Sequence, residues 1–219
     1  MKQNTRIPCV FMRGGTSKAL FFHEKDLPDD ENLRDAIILS ALGSPDTRQI
    51  DGMGGASTTT SKVAIIKKSS REGVDVDYTF RQVNPGSSII GKTMNCGNIS
   101  AAVGPFAIDE GLVKAVEPVT TVRVFNTNTD KVIVSHVPVG NGHALTEGDF
   151  EIDGVPGTGA KIQIEFRNPQ GAVSGKLLPT GNPLDTIIID GNTYEYSFLD
   201  VGNPTVFVRA EQFGLSGVE

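Results

Sequence analysis

The sequence predicts an α+β protein in which β-strands dominate and helices are few. Short runs rich in β-branched and aromatic residues alternate with Gly, Pro, Asn and Asp along the 219 residues, which is typical of strands joined by turns. Trp is absent and there are 25 Gly residues, a composition that favours a turn-rich sheet protein over a helical bundle. Two segments have the apolar pattern of a helix.

Ten segments are predicted to be strands, and two pairs of them are typical of hairpins. Residues 122–137, "VRVFNTNTDKVIVSHV", cross a polar turn, and residues 186–199, "TIIIDGNTYEYSFL", have Asp-Gly at the bend. The second half is therefore expected to be mostly antiparallel sheet. The ten segments are residues 7–13, 18–22, 62–68, 74–83, 119–126, 131–139, 160–166, 185–190, 193–199 and 205–210.

The first predicted helix lies in "DDENLRDAIILSALGS", residues 29–44. Asp29 or Asp30 can cap its start, and Gly43 follows its end. We expect a surface helix with one apolar side. The residues expected on that side are Leu33, Ile37 and Leu42.

The second predicted helix begins just after Cys96, in "NCGNISAAVGPFAI". It is apolar nearly all round, so we expect it to be buried. Gly104-Pro105 is expected to kink it or to divide it into two segments. The segment that follows, residues 109–120, is the best candidate for a domain boundary.

Composition excludes several classes of protein. The net charge of −6 argues against a nucleic-acid surface, which needs clustered Lys and Arg. No stretch approaches the roughly 20 apolar residues of a membrane span, and the N-terminus lacks the features of a secretory signal. We therefore expect a cytoplasmic protein without nucleic-acid or membrane partners, whose two cysteines are thiols. Cys9, in the apolar segment "IPCVFM", is expected to be a core residue.

Cys96 stands where the second helix begins. The first turn of a helix has unpaired N–H groups and the positive end of the helix dipole, and both favour a thiolate. Gly97 lets a ligand approach the backbone, and Asn95 and Asn98 offer side-chain amides that suit a carboxylate. The alternative is that Cys96 fills core space as a small apolar side chain.

Two glycine-rich loops have many hydrogen-bond donors: "RGGTSK", residues 13–18, and "DGMGGASTTTSKVAII", residues 51–66. Both suit an anion, although neither has the spacing of a nucleotide-binding loop and each can be an ordinary turn. Lys62, near the end of the second of these segments, is the first residue of a predicted apolar strand. If it is desolvated it can act as a general base, whereas a surface lysine would extend to water. No metal site is expected, because the three histidines have no metal-ligand spacing.

Four motifs in order resemble the methylaconitate cis-trans isomerase (PrpF) family, of the diaminopimelate epimerase structural class. They are "RGGTSK", "DGMGGASTTTSKVAI", "NCGNISAAVGPFAI" and "DVGNPTVFV", and the resemblance covers residues 11–208. It implies two pseudo-symmetric lobes, each a β-barrel-like sheet around a central helix, with the active site between them. Residues 1–112 would form the first lobe, with Cys96 at the start of its helix. Residues 113–219 would form the β-rich part of a second lobe that lacks its central helix.

The resemblance also implies a cofactor-independent isomerase that moves a C=C double bond in a small unsaturated di- or tricarboxylic acid. Lys62 matches the family's catalytic lysine and Cys96 its active-site cysteine. Lys62 is the candidate base, and either Lys62 or Cys96 would return the proton at the far carbon. The residues expected to border the substrate are Gly15, Thr16, Ser17, Ser61, Asn95, Gly97, Asn98, Gly202 and Asn203.

Two alternative functions remain to be considered from the sequence. The chain can be a carboxylate-binding or assembly domain without catalysis, although binding alone has no need of a thiol at a helix start. Racemisation, which in the related epimerases is associated with a pair of cysteines, is disfavoured because a second cysteine in a comparable turn is missing. Self-association is left open.

Overall fold

The computed structural model describes residues 6–218. Within them lie two α-helices, α1 (Glu31–Leu42) and α2 (Gly97–Asp109), and two short 3-10 helices, Glu24–Asp26 and Ala210–Phe213. The strands are β1 (Val10–Gly14), β2 (Ser17–His23), β3 (Lys62–Lys68), β4 (Val76–Val83), β5 (Ile90–Gly91), β6 (Val119–Asn126), β7 (Lys131–Gly140), β8 (His143–Ala144), β9 (Gln163–Phe166), β10 (Asp185–Ile189), β11 (Asn192–Val201) and β12 (Asn203–Val208). All ten predicted strands are present, and the α+β class is confirmed.

The chain divides into two compact units between Arg167 and Asn168. In the first unit, nine strands form one mixed sheet in the order β1-β2-β3-β4-β6-β7-β8, with β5 paired to β4 and β9 to β7. The β2–β3 and β4–β6 pairs are parallel, and the other pairs are antiparallel. Strand β3, which begins at Lys62, is therefore an interior strand with a neighbour on each side.

The two faces of this sheet bury different helices. Alternate residues of β2, β3 and β4 pack with the apolar residues of α2, and the residues between them pack with α1. The α2 side includes Phe21, Ile66, Phe80, Ile99 and Phe106, and the α1 side includes Leu20, Phe22, Ile65, Ile38 and Leu42. The start of α2 and the start of β3 thus lie on the same side of the sheet.

Helix α2 is buried, as predicted, but it is one continuous helix with Pro105 inside it. The expectation at Gly104-Pro105 was a kink or a division into two segments, and the division is wrong. A Cβ atom on Gly104 would lie 2.6 Å from Ser135 Oγ and 2.8 Å from Val137 Cγ2, so this glycine allows close packing of α2 against β7. Pro105 lies at the half-buried edge of the helix.

Helix α1 has the predicted caps but a different buried side. The Asp30 side chain accepts a hydrogen bond from Leu33 N, and Gly43 ends the helix with a φ of 78°. Leu33 is 53% exposed, and the fully buried residues of α1 are Ile38 and Leu42. The prediction was wrong for Leu33, since the cap places it on the solvent side of the first turn.

The second unit contains an antiparallel sheet of β10, β11 and β12. Asp190 and Gly191, with φ of 50° and 80°, connect β10 to β11, which confirms the Asp-Gly hairpin. Asp200, on β11, is fully buried and its Oδ2 accepts hydrogen bonds from Val173 N and from the backbone and hydroxyl of Ser174.

Three expectations differ from the structure or lie outside it. The domain boundary between residues 112 and 113 lies inside the first unit, because β6 pairs in parallel with β4 and β9 pairs with β7. Cys9 precedes β1 and is exposed, so its expected place in the core is wrong. The N-terminal signal prediction concerns in part residues 1–5, which lie outside the described residues. Neither α-helix within residues 6–218 has the length and apolarity needed to cross a membrane.

Candidate active site

Lys62 and Cys96 form a direct contact in the first unit. Lys62 Nζ donates a hydrogen bond to Cys96 Sγ over 3.2 Å, and the two residues are only 8% and 9% exposed. Lys62 is the first residue of β3, and its ammonium lies 5.5 Å from the centroid of the Phe80 ring on β4. The predicted desolvation of this lysine is therefore present, and the residue that desolvates it also provides a cation–π contact.

Cys96 is the N-cap residue of α2, with an extended backbone (φ −119°, ψ 107°). Its carbonyl oxygen accepts from Ser100 N at 3.0 Å and from Ser100 Oγ at 2.9 Å. Its side chain makes no capping hydrogen bond to the helix backbone. The expected contact between sulfur and the helix N–H groups is thus replaced by the contact with Lys62, and the helix contributes only its dipole.

The first glycine-rich loop lies against the start of α2. Asn98 Nδ2 donates to Thr16 Oγ1 at 2.9 Å and to Ser17 Oγ at 3.4 Å. A Cβ atom on Gly14 would lie 2.4 Å from Asn98 O, and one on Gly15, whose φ is 48°, would lie 2.4 Å from Asn98 Oδ1. The two glycines therefore allow the loop to approach the helix, which joins two of the predicted motifs.

Thr16 and Ser17 also line a cavity of about 420 Å³. Its wall includes the basic side chains of Arg13 and Lys18 and the hydroxyl-bearing Thr60. Lys62 and Cys96 are not among its lining residues. The cavity thus combines cations and hydroxyl groups beside the loop that contacts α2.

Ser61 and Asn95 are turned toward the protein interior. Ser61 is fully buried and its hydroxyl donates to Gln49 Oε1 at 2.7 Å, which also accepts from Ala56 N at 2.8 Å. Asn95 Oδ1 accepts from Asn126 Nδ2 at 3.2 Å and also lies 3.2 Å from Ser100 Oγ. In this structure both residues support the loops that carry Lys62 and Cys96.

The remaining residues that were expected to border the substrate are Gly97, Gly202 and Asn203. Gly97 is exposed in the first turn of α2, and a Cβ atom there would lie 3.7 Å from the Phe166 ring, an ordinary contact. Gly202, with φ of 82°, and Asn203 lie at the turn between β11 and β12 in the second unit. Their role at the substrate stays a prediction.

Sequence reasoning missed three buried residues near the pair: Gln49, Phe80 and Tyr78. The alternation of side chains along a strand puts Phe80 and Tyr78 on one face of β4, and that face packs on α2. Burial raises the pKa of Tyr78 well above its ordinary value of 10.0, and negative charge on Cys96 raises it further. Tyr78 therefore stays a neutral phenol and is not a base at neutral pH.

No group of three or more His, Cys, Asp or Glu side chains within residues 6–218 is arranged to hold a metal ion. The contact between Lys62 and Cys96 brings together an amine and a thiol, two groups that can each donate and accept a proton, so it is suited to proton transfer.

The sequence profile of the family described as "PrpF protein" matches residues 4–219. The chain belongs to the PrpF family. Its sequence is 51% identical to 3-methylitaconate isomerase of Eubacterium barkeri over 219 residues, which covers the whole chain and 58% of that enzyme. It is 49% identical to (4E)-oxalomesaconate Delta-isomerase of Novosphingobium sp. (strain KA1), over 97% of the chain and 58% of that enzyme. It is 43% identical to 2-methyl-aconitate isomerase of Cupriavidus necator, over 98% of the chain and 58% of that enzyme.

Solved structures confirm the predicted fold class for this PrpF-family chain. The crystal structure of a methylitaconate-delta-isomerase matches with a TM-score of 0.81 and 51% identity, over 98% of this chain and 56% of that one. A probable proline racemase from Agrobacterium radiobacter K84 matches with a TM-score of 0.56 and 11% identity, over 96% and 54%, which shows a common fold alone. The chain thus spans somewhat more than half the length of the curated relatives it matches.

Proposed function

We propose that the protein is an isomerase that moves a C=C double bond in a small unsaturated di- or tricarboxylic acid by proton transfer at Lys62 and Cys96. The observation that carries this proposal is the buried 3.2 Å contact between Lys62 Nζ and Cys96 Sγ at the N-terminus of α2. A carboxylate-binding domain without catalysis would have no use for a thiol held against a desolvated amine. The relatives are named for isomerisation of such acids, which is consistent with this chemistry.

The reaction needs one base and one acid. The base removes a proton from the saturated carbon next to the double bond, and the C–H electron pair forms a new double bond while charge spreads onto a carboxylate. A proton is then added at the far carbon, so the double bond moves by one position and no atom is gained or lost. Lys62 and Cys96 are hydrogen-bonded to each other, so one can take the proton and the other can return it.

The intermediate needs hydrogen-bond donors near its carboxylates. Gly97 and Asn98, in the exposed first turn of α2, have backbone N–H groups without partners in the helix, and the helix dipole adds positive potential. Thr16 and Ser17 bring hydroxyl groups to the same end of the helix through Asn98. These groups form the proposed carboxylate-binding surface of the first unit.

Proton NMR in deuterated buffer tests the proposal, with 3-methylitaconate, 4-oxalomesaconate and 2-methylaconitate offered in turn. We expect one of them to isomerise with uptake of deuterium. Removal of either partner, in Lys62→Met or Cys96→Ala, should lower the rate by about 10²-fold or more, the usual contribution of a positioned acid or base. Lys67→Met is the control, because Lys67 is an exposed lysine on the same strand that pairs with Glu24.

The two orders of proton transfer give different results in this experiment. If Lys62 takes the first proton, Cys96→Ala still exchanges the allylic hydrogen with solvent while isomerisation stops. If Cys96 takes it, Lys62→Met shows that behaviour instead. No exchange with any of the three acids, or full activity of Lys62→Met, would show that the proposal is wrong.

A further inference from the structure

Asn126, the last residue of β6, has a buried amide beside the β6–β7 turn, and the sequence pattern placed it only in a polar hairpin. Asn126 is fully buried. Its Oδ1 accepts from Thr129 N at 3.1 Å and from Thr129 Oγ1 at 2.8 Å. Because a backbone N–H can only donate, the atom that faces Thr129 is the oxygen, and the amide nitrogen must point the other way.

The Asn126 nitrogen reaches the residue that precedes Cys96. Nδ2 donates to Asn95 Oδ1 over 3.2 Å. The same oxygen lies 3.2 Å from Ser100 Oγ, whose hydroxyl also lies 2.9 Å from Cys96 O. Asn126 is thus connected to the residue before Cys96 and, through Asn95, to the first turn of the helix after it.

We propose that Asn126 is a positioning residue for Cys96, which sets the orientation of the thiol through Asn95. The meaning of this role for catalysis rests on the proposed function, but the geometry does not. Cys96 Sγ contacts Lys62 from the extended backbone conformation of an N-cap residue, and its side chain makes no capping hydrogen bond to the helix backbone. The hydrogen bond from Asn126 holds the preceding residue, so it fixes the direction in which the chain enters the helix.

The exchange Asn126→Asp isolates this hydrogen bond. The aspartate keeps an oxygen for both donors of Thr129 and replaces only the nitrogen, so that an acceptor then faces Asn95 Oδ1. Thr129→Val is the matched control, because it removes the Thr129 hydroxyl from the same turn and leaves the amide of Asn126 directed at Asn95. Thermal melting of each variant reports any general loss of stability.

The measurement is the rate at which iodoacetamide alkylates Cys96, followed by peptide mass spectrometry across pH. Cys9 in the same molecule is exposed and serves as an internal reference for the reagent. We expect Asn126→Asp to slow alkylation of Cys96 at neutral pH by about three- to tenfold relative to Cys9, as expected for loss of one hydrogen bond. Thr129→Val should leave this ratio unchanged within about twofold.

Measurements in an Asn95→Ala background separate the loss of the hydrogen bond from the effect of the added negative charge. In Asn95→Ala the partner of Asn126 is gone, so Asn126→Asp should change the alkylation rate much less there than in the natural sequence. An equal effect in both backgrounds, or an equal effect of Thr129→Val, would overturn the proposal. The readout is thiol reactivity, so failure of the isomerase proposal would leave this result unaffected, and the two failures are distinguishable.

Discussion

Lys62 Nζ and Cys96 Sγ lie 3.2 Å apart, although 34 residues separate them in the chain. Two features of the fold produce this contact. Strand β3 is an interior strand whose α2-facing residues begin with Lys62, and α2 begins on the same side of the sheet with Cys96 as its N-cap. We therefore expect the reactivity of each group to depend on the other, which can be measured without a substrate.

Replacing Lys62 with methionine should make Cys96 less reactive. Lys62 Nζ lies 3.2 Å from Cys96 Sγ and donates a hydrogen bond to it, so the substitution removes both a donor and a positive charge from beside the attacking sulfur. We expect alkylation of Cys96 by iodoacetamide at neutral pH to slow by about tenfold or more. Lys67→Met, on the exposed end of the same strand, should leave the rate unchanged. Equal rates in Lys62→Met and the natural sequence would show that sulfur is not influenced by the amine.

Gly14→Ala should destabilise the first unit. The new Cβ atom would lie 2.4 Å from the backbone oxygen of Asn98, which a side-chain rotation cannot relieve. We expect a loss of about 1 to 3 kcal/mol in the free energy of unfolding, the usual cost of overpacking. Gly97→Ala is the matched control, since its Cβ atom would meet only the Phe166 ring, at 3.7 Å, and alanine favours a helix. Urea denaturation of both variants measures the difference, and similar midpoints would contradict the prediction.

Local patterns in the sequence predicted the elements that carry the site. The predicted bounds of β3 and β6 match the observed Lys62–Lys68 and Val119–Asn126, because each strand is a compact apolar or alternating run between turn residues. The apolar character of α2 likewise predicted its burial and the position of Cys96 at its start. The candidate site was therefore partly predictable, since Lys62 begins β3 and Cys96 caps the start of α2.

Long-range pairing was not predictable in the same way. The parallel pairs β2–β3 and β4–β6 join strands that are distant in sequence, and periodicity contains no information on which strands become neighbours. Gln49 and Asn126 resemble ordinary loop residues, because burial of a single amide depends on partners elsewhere in the chain. Cys9 shows the opposite error. Its apolar neighbours in the sequence predicted a core position, but the residue is exposed just before β1.

Gln49→Ala should loosen the loop that leads to Lys62. Its Oε1 accepts from Ser61 Oγ and Ala56 N, so truncation leaves a fully buried hydroxyl and a backbone N–H without an acceptor. We expect the free energy of unfolding to fall by about 2 to 4 kcal/mol, from the lost hydrogen bonds and the cavity together. Hydrogen exchange should accelerate most in residues 51–61. Arg48→Ala, at the exposed neighbouring position, is the control and should change neither quantity.

Asp200→Asn should weaken the second unit in a pH-dependent way. Burial by itself raises the pKa of Asp200, but the hydrogen bonds from Ser174 and Val173 outweigh it, so the net pKa lies below its usual value of 3.8. A carboxyl group with a lowered folded-state pKa contributes stability above its unfolded-state pKa and loses it as the pH falls through the folded-state value. The melting temperature of Asp200→Asn should therefore be lower than that of the natural sequence at pH 7. The gap should stay constant down to about pH 5 and narrow below about pH 4, near the ordinary aspartate pKa.

Asp190→Asn is the control, because Asp190 is exposed at the β10–β11 turn, where asparagine also tolerates a positive φ. A gap of constant size down to pH 2 would show that the charge of Asp200 does not stabilise the residue 171–176 segment.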